Sequence, residues 1–261
     1  TVIDQSTGEV KAIVGGRGDK TASKTLNRAT DTTRQPGSTF KILAAYSAAL
    51  DAGGLTLASV QDDAPYTYAG ANGKSVNNYD RRYRGFTTLR EAITDSINIV
   101  TVKTLAQAGV SLGWQYVQEY GFTTVDSRDM NEALALGGIT QGVSNLELTA
   151  AYAAIANQGT YIKPKFYTKI LDHDGNVLID NTTPESHTVI KDTTAWLLTS
   201  AMEDVMTSGT GTSAYFGSSM AQAGKSGTTT SSRDALFAGY TPYYTCAVWG
   251  GYDDNAMQKG S

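Results

Sequence analysis

Strand-like segments stand at both ends of the chain, and they limit the fold more than any other feature. Val2–Asp4 and Val10–Val14 flank the turn Gln5-Ser6-Thr7-Gly8-Glu9 and predict an opening hairpin. Ala235–Tyr240 and Tyr244–Gly250 flank a Thr241-Pro242 turn and predict a closing one. Hairpins pair antiparallel, so one sheet assembled from both termini is the simplest solution. The middle of the chain then has to lie on that sheet or beside it. The expectation is a mixed α+β domain: an antiparallel sheet built from both termini, helices on its faces, and an inserted all-helical subdomain.

The middle carries helix signals. The breaker cluster Gln35-Pro36-Gly37 precedes an apolar-periodic stretch from Ser38 to about Asp51, closed by Gly53-Gly54. Thr88-Leu89-Arg90-Glu91 and Ser144-Asn145-Leu146-Glu147 are capping boxes, in which the hydroxyl and the carboxylate satisfy each other's backbone N–H groups. The second opens a helix through Ala156. Ile99–Gln107 predicts another helix, and Asp192-Thr193 caps one through Val205 that ends at Ser208–Gly211. Tyr167–Asp172 and Asn176–Asp180 predict a hairpin, and Ser59–Gly85 an extended loop region. No repeat or low-complexity linker divides the chain, so residues 1–261 read as one catalytic unit.

Composition removes several kinds of chemistry. A net charge of -4 with no Lys/Arg run gives no face for nucleic acid. The two histidines, His173 and His187, lie in polar, turn-rich surroundings, which speaks against imidazole catalysis and a His-based metal site. The lone Cys246 sits in an apolar strand-like run and reads as a small buried hydrophobe. No metal or cofactor is expected. No window is apolar enough to span a membrane, and the chain does not begin with Met, so it reads as an excised or processed domain. An activated nucleophile here needs a base other than histidine.

Ser38-Thr39-Phe40-Lys41 is the one Ser-x-x-Lys in the chain. On a helix, positions three apart share a face, so the lysine can reach the hydroxyl. The helix N-terminus adds free N–H groups and partial positive charge, which favour a neutral Lys41 and stabilise an oxyanion. Lys225-Ser226-Gly227-Thr228, before the closing strands, offers a cation, two hydroxyls for a carboxylate, and a glycine that admits a close substrate backbone. Ser-x-Asn occurs at Ser75-Val76-Asn77 and at Ser96-Ile97-Asn98; the second, at a helix junction, can project a hydroxyl and an amide into a cleft. Singly these patterns are weak. Their order is specific: Ser96 follows Ser38 by 58 residues and Lys225 follows it by 187, the ordered set of penicillin-binding proteins and serine β-lactamases.

The chain resembles the transpeptidase domain of class A, bifunctional, penicillin-binding proteins over nearly its whole length. Further segments carry this: Thr7-Gly8-Glu9-Val10 with Val14-Gly15-Gly16, Asn27-Arg28-Ala29, Arg34-Gln35-Pro36-Gly37 before Ser38, and Leu136-Gly137-Gly138 with Gly142-Val143-Ser144. Ala151-Tyr152-Ala153, Asn157-Gln158-Gly159, Lys163-Pro164 and Val248-Trp249-Gly250-Gly251-Tyr252-Asp253 complete it. Ile42 departs from the family, which often has Pro there.

The resemblance implies the serine β-lactamase and penicillin-binding transpeptidase fold and a two-step acyl transfer. Ser38 would attack the bond between two D-alanines ending a peptidoglycan stem peptide, with Lys41 as base. Ser96 would relay the proton to the leaving amine, assisted by Lys225. The N–H groups of Ser38 and Thr228 would form the oxyanion hole, Asn98 would hold the substrate amide, and Ser226 and Thr228 its carboxylate. A β-lactam antibiotic would acylate Ser38. The implied address is the extracytoplasmic face of a bacterial membrane, with the anchor and the glycosyltransferase domain outside this chain. Competing expectations are a serine β-lactamase, for which Glu132 or Glu147 could drive deacylation, a D,D-carboxypeptidase, and a non-catalytic β-lactam sensor. Glu147 is better explained by its capping box and Glu132 as a surface charge.

Overall fold

The computed structural model describes residues 1–20, 22–69, 73–229 and 232–258. Both ends enter one five-stranded antiparallel sheet. Its strands are β1 (Val2–Asp4), β2 (Glu9–Ala12), β3 (Ala223–Thr228), β4 (Asp234–Tyr240) and β5 (Thr245–Gly251), in spatial order β3-β4-β5-β1-β2. β1 joins the two halves of the chain, with Ile3 opposite Val10 on one side and Thr245 on the other. Period-two alternation turns Leu236, Ala238 and Ala247 into the core, while Val248 points away and is exposed. Cys246 is half-buried on β5 rather than fully buried, because it alternates with buried Thr245 and Ala247.

The segment after Pro36 is helical but not one regular helix. Gly37–Thr39 is a single 3₁₀ turn, Lys41–Tyr46 is π-helical, and α1 (Ser47–Asp51) is α-helical. Residues from Phe40 to Ala49 have essentially no solvent exposure, so this helix is buried on every side. Ser47 repeats the wide π spacing in its side chain, donating to Ile42 O at 2.9 Å. Such π segments gather at functional sites.

Around it stand α2 (Leu89–Thr94), α3 (Asn98–Ala108), α4 (Val110–Glu119) and the 3₁₀ segment Glu132–Leu136. The sequence predicts an all-helical lobe, and this one also contains strands. Two short antiparallel hairpins, Val60–Asp63 with Gly85–Thr88 and Tyr66–Thr67 with Ser75–Val76, stand in the region read as loop. Their strands of two to four residues are too short for alternation to register; residues 70–72 of that loop lie outside the described residues. α5 (Asn145–Ala156) packs on β4 and β5, and α6 (Asp192–Thr207) packs on β3 and against α5.

Both predicted capping boxes form, at Thr88/Glu91 and Ser144/Glu147. The predicted Asp192-Thr193 cap does not: the N-cap position is Lys191. Asp51, at the end of α1, does that service instead, accepting from Lys191 N at 2.8 Å and from the Thr194 hydroxyl at 2.7 Å. The predicted second hairpin forms between Lys169–Leu171 and Val177–Asp180.

Candidate active site

The edge strand β3, the turn at Ser38 and the junction between α2 and α3 meet at one place. Thr39 Oγ1 donates to Pro36 O at 2.6 Å, and Tyr152 of α5 donates its hydroxyl to Thr39 O at 2.7 Å. The Gln35 side chain exchanges two hydrogen bonds with the main chain of Ile139, which donates its N–H to Oε1 at 2.9 Å. Ser38 is the half-exposed residue of this otherwise buried turn. β3 lies directly against it. A Cβ on Gly227 would stand 2.9 Å from Thr39 Cγ2 and 3.0 Å from Pro36 O. Gly227 therefore admits the Ser38 turn against the strand, a close approach by this chain's own backbone at the position where the sequence predicts a substrate's.

Lys41 is fully buried, and three oxygens surround its Nζ: Ser96 O at 2.6 Å, Asn98 Oδ1 at 2.6 Å and Ser96 Oγ at 3.1 Å. The direct Ser38–Lys41 hydrogen bond expected from helical spacing is absent among the described residues. A buried amine gains more from three oxygens than from one hydroxyl. Lys225 enters from β3, also fully buried, and donates to Ser96 Oγ at 2.9 Å and to Ser226 O at 3.1 Å. The Ser96 hydroxyl thus bridges two lysines.

The two amines do not hold their protons equally. Burial first, and the Lys225 charge second, push Lys41 well below the ordinary lysine range. Burial brings Lys225 down to about 7. Burial therefore disfavours the charged form of both amines. A neutral Lys41 has two hydrogens and one lone pair. Its hydrogens suit Ser96 O and Asn98 Oδ1, which can only accept, and its lone pair suits the Ser96 hydroxyl. In that state the donors run Lys225 to Ser96 to Lys41, whereas a charged Lys41 donates to the Ser96 hydroxyl as Lys225 does.

The junction is strained to present these groups. Ser96 has φ +56°, in the left-handed region that a residue with a Cβ seldom adopts. The next residue, Ile97, occupies the N-cap of α3 and has no oxygen to cap with. Asn78 supplies it from the loop: its Oδ1 accepts from Asn98 N at 3.0 Å and Ile99 N at 3.2 Å. Asn78 is itself held by the buried Asp63 carboxylate, at 2.8 and 3.0 Å. The neighbouring Asn77 O accepts from Asn98 Nδ2 at 2.7 Å, which fixes the Asn98 amide with its oxygen toward Lys41 and leaves the second hydrogen of Nδ2 for a ligand. The Ser75-Val76-Asn77 pattern, set aside in favour of Ser96-Ile97-Asn98, therefore still touches the site through its main chain. Asn78 and Asp63 carry no sequence signal of this service.

Just past β3, Thr229 N donates to Asp234 O at 3.1 Å. Residue pairs in an antiparallel ladder alternate between bonded and non-bonded, so the Thr228–Ala235 pair is non-bonded and the Thr228 N–H faces the open edge. Ser38, first in its turn after Gly37, has a main-chain N–H without an intrahelical acceptor. Ser226 is half-buried and Thr228 exposed, so this side of the cluster opens to solvent. Cavities of about 460 Å³ (around Gly15–Lys20 and Arg28) and 620 Å³ (around Trp196) lie elsewhere, and the site is defined by its side-chain chemistry rather than by volume.

Other candidates are occupied elsewhere. Glu147 closes its capping box and accepts from the Thr123 hydroxyl at 2.6 Å. Glu132 is buried, not a surface charge, because Tyr66 Oη and Ala69 N each donate to it at 2.9 Å. His187 meets Glu119 O at 2.8 Å and His173 pairs with Asp174; both are exposed and away from the lysines. No cluster of three or more His, Cys, Asp or Glu suited to a metal occurs among the described residues. No helix among them is long and apolar enough to cross a membrane.

An antiparallel sheet with a helical lobe beside it, with serines and two buried lysines at the seam, is the β-lactamase-like fold of penicillin-binding transpeptidase domains. The chain belongs to the family of penicillin-binding protein transpeptidase domains, whose model matches residues 1–252. It is 41% identical over 257 residues to penicillin-binding protein 1F of Bacillus subtilis, covering 96% of this chain and 34% of that one. The chain thus spans about a third of that relative's length. Penicillin-binding protein 1A of Haemophilus influenzae superposes with TM-score 0.86 at 27% identity, covering all of this chain and 44% of that one. PonA1 of Mycobacterium tuberculosis in complex with penicillin V gives TM-score 0.82 at 25% identity, covering 98% of this chain and 69% of that one.

Proposed function

We propose that this domain is a D,D-transpeptidase that crosslinks peptidoglycan stem peptides through a Ser38 acyl-enzyme, at the extracytoplasmic face of a bacterial membrane. The observation that carries the reading is the buried chain Lys41–Ser96–Lys225, in which one hydroxyl bridges two amines whose charged forms burial disfavours. A neutral amine beside a serine is a base available near neutral pH.

In the first step the Ser38 hydroxyl gives its proton to Lys41 as Oγ bonds to the carbonyl carbon of the penultimate D-alanine. This requires the Lys41 amine to turn from Ser96 toward Ser38 when substrate binds. The N–H groups of Ser38 and Thr228 hold the oxyanion. The C–N bond breaks, and the terminal D-alanine leaves as an amine, taking the proton through Ser96 while Lys225 holds that hydroxyl in line. Asn98 orients the substrate amide, and the Thr228 hydroxyl donates to its carboxylate on the face of β3 that Ser226 shares. In the second step the amine of another stem peptide attacks the ester, loses a proton, and Ser38 regains one. A β-lactam enters the first step, but its amine stays tethered, so acylated Ser38 persists.

A β-lactamase reading needs a base for water at the acyl-enzyme. The engagement of Glu132 and Glu147 in structural hydrogen bonds favours the transferase. The experiment uses a D-alanyl thioester donor with and without a D-amino acid acceptor. The expected product partitions to the new amide as acceptor rises, with little hydrolysis. Hydrolysis indifferent to the acceptor would make the domain a carboxypeptidase or β-lactamase; no turnover together with stable β-lactam binding would make it a sensor.

A further inference from the structure

We infer that Thr210 is a substrate-binding residue, the outer hydroxyl of the site that holds the carboxylate ending the acyl donor; this deepens the transpeptidase reading and rests on it. Ser226 Oγ donates its only hydrogen to Thr210 Oγ1 at 2.7 Å. Ser226 is therefore not free to donate to an arriving anion, while the Thr210 hydrogen has no acceptor among the described residues. Thr228, two residues along the same face of β3, has no side-chain hydrogen bond to a described residue, so its hydrogen is also available. Two free hydroxyl donors thus flank Ser226 on the solvent side, and both residues are exposed.

Thr210 is exposed but not loose. It lies just past the end of α6, and its N–H donates to Thr94 O at 3.3 Å. Thr94 closes α2, two residues before Ser96. One residue is thus tied by its main chain to the Ser96 junction and by its side chain to β3, the two elements that flank the reacting bond. The charge of Lys225 behind β3 adds attraction for a carboxylate. In the site so formed, Thr210 and Thr228 donate to the carboxylate, and Ser226 orients Thr210.

The test measures the domain's preference, as kcat/KM, for a D-alanyl thioglycolate with a free carboxylate over its methyl ester. In Thr210→Val this preference falls about tenfold, the size of one hydrogen bond to a charged group. Thr210→Ser restores it. An unchanged preference in Thr210→Val overturns the inference, including the case where both substrates slow together, as damage to the fold would produce. If the wild-type domain turns over neither substrate and takes no fluorescent penicillin, the transpeptidase reading and this inference fall together. If the wild-type domain is active and the preference does not move, this inference alone falls.

Discussion

Replacing Lys225 with Met should stabilise the folded domain at low pH while removing its chemistry. Burial brings this amine from the ordinary lysine value of 10.5 to about 7. At 1.36 kcal/mol per pH unit, that shift corresponds to about 5 kcal/mol. The sign follows from where the proton sits. Below pH 7 folded and unfolded chains both carry it, so the wild type bears the full cost of a buried cation. Between about pH 7 and pH 10 the unfolded chain binds the proton and the folded chain does not, so wild-type stability rises with pH. Methionine has no proton to lose. The loss of the bonds to Ser96 Oγ and Ser226 O subtracts about 1–2 kcal/mol at every pH. Urea unfolding of both proteins at pH 6, 8 and 10 should therefore show the variant ahead by about 3 kcal/mol at pH 6 and level or behind by pH 10. A difference between the proteins that stays constant across this range would refute the reasoning.

Asn78→Ala removes the acceptor at the start of α3 and leaves the buried Asp63 carboxylate short of a donor; a loss of about 2–4 kcal/mol is expected, with slower β-lactam acylation. Normal acylation well below the melting temperature would show that Ser96 and Asn98 keep their places without it. Glu147→Ala opens the Ser144 capping box and should lower stability by about 1 kcal/mol while the lifetime of a penicillin adduct stays the same. A longer-lived adduct would give Glu147 a part in deacylation.

The sheet was legible because both hairpins announce themselves with turns, and α5 was legible because Ser144 and Glu147 mark its first turn. α4 was not. Gly113 sits in its middle, where a Cβ would lie 2.6 Å from Ala44 O, so packing required a residue that weakens the helical pattern. The small hairpins of the lobe were hidden for the same kind of reason, their strands being shorter than one readable period. In the site, Ser38, Lys41, Ser96, Asn98 and Lys225 could be gathered from motif order. Their connections could not. Helical spacing pointed Lys41 at Ser38, whereas a 3₁₀ turn leading into a π segment carries the amine to Ser96 and Asn98. Asn78, Asp63 and Thr210 act across 15 to 20 residues of sequence, bonding Asn98, Asn78 and Ser226 respectively, and no local pattern encodes such partnerships.

The whole mechanism turns on Ser38 as the nucleophile. Intact-mass analysis after incubation with penicillin, followed by peptide mapping, tests it most directly. The expected result is one added penicillin per chain, stable for hours, on the peptide that contains Ser38, and none on a folded Ser38→Ala variant. An adduct on another residue, or an undiminished adduct on Ser38→Ala, would contradict it.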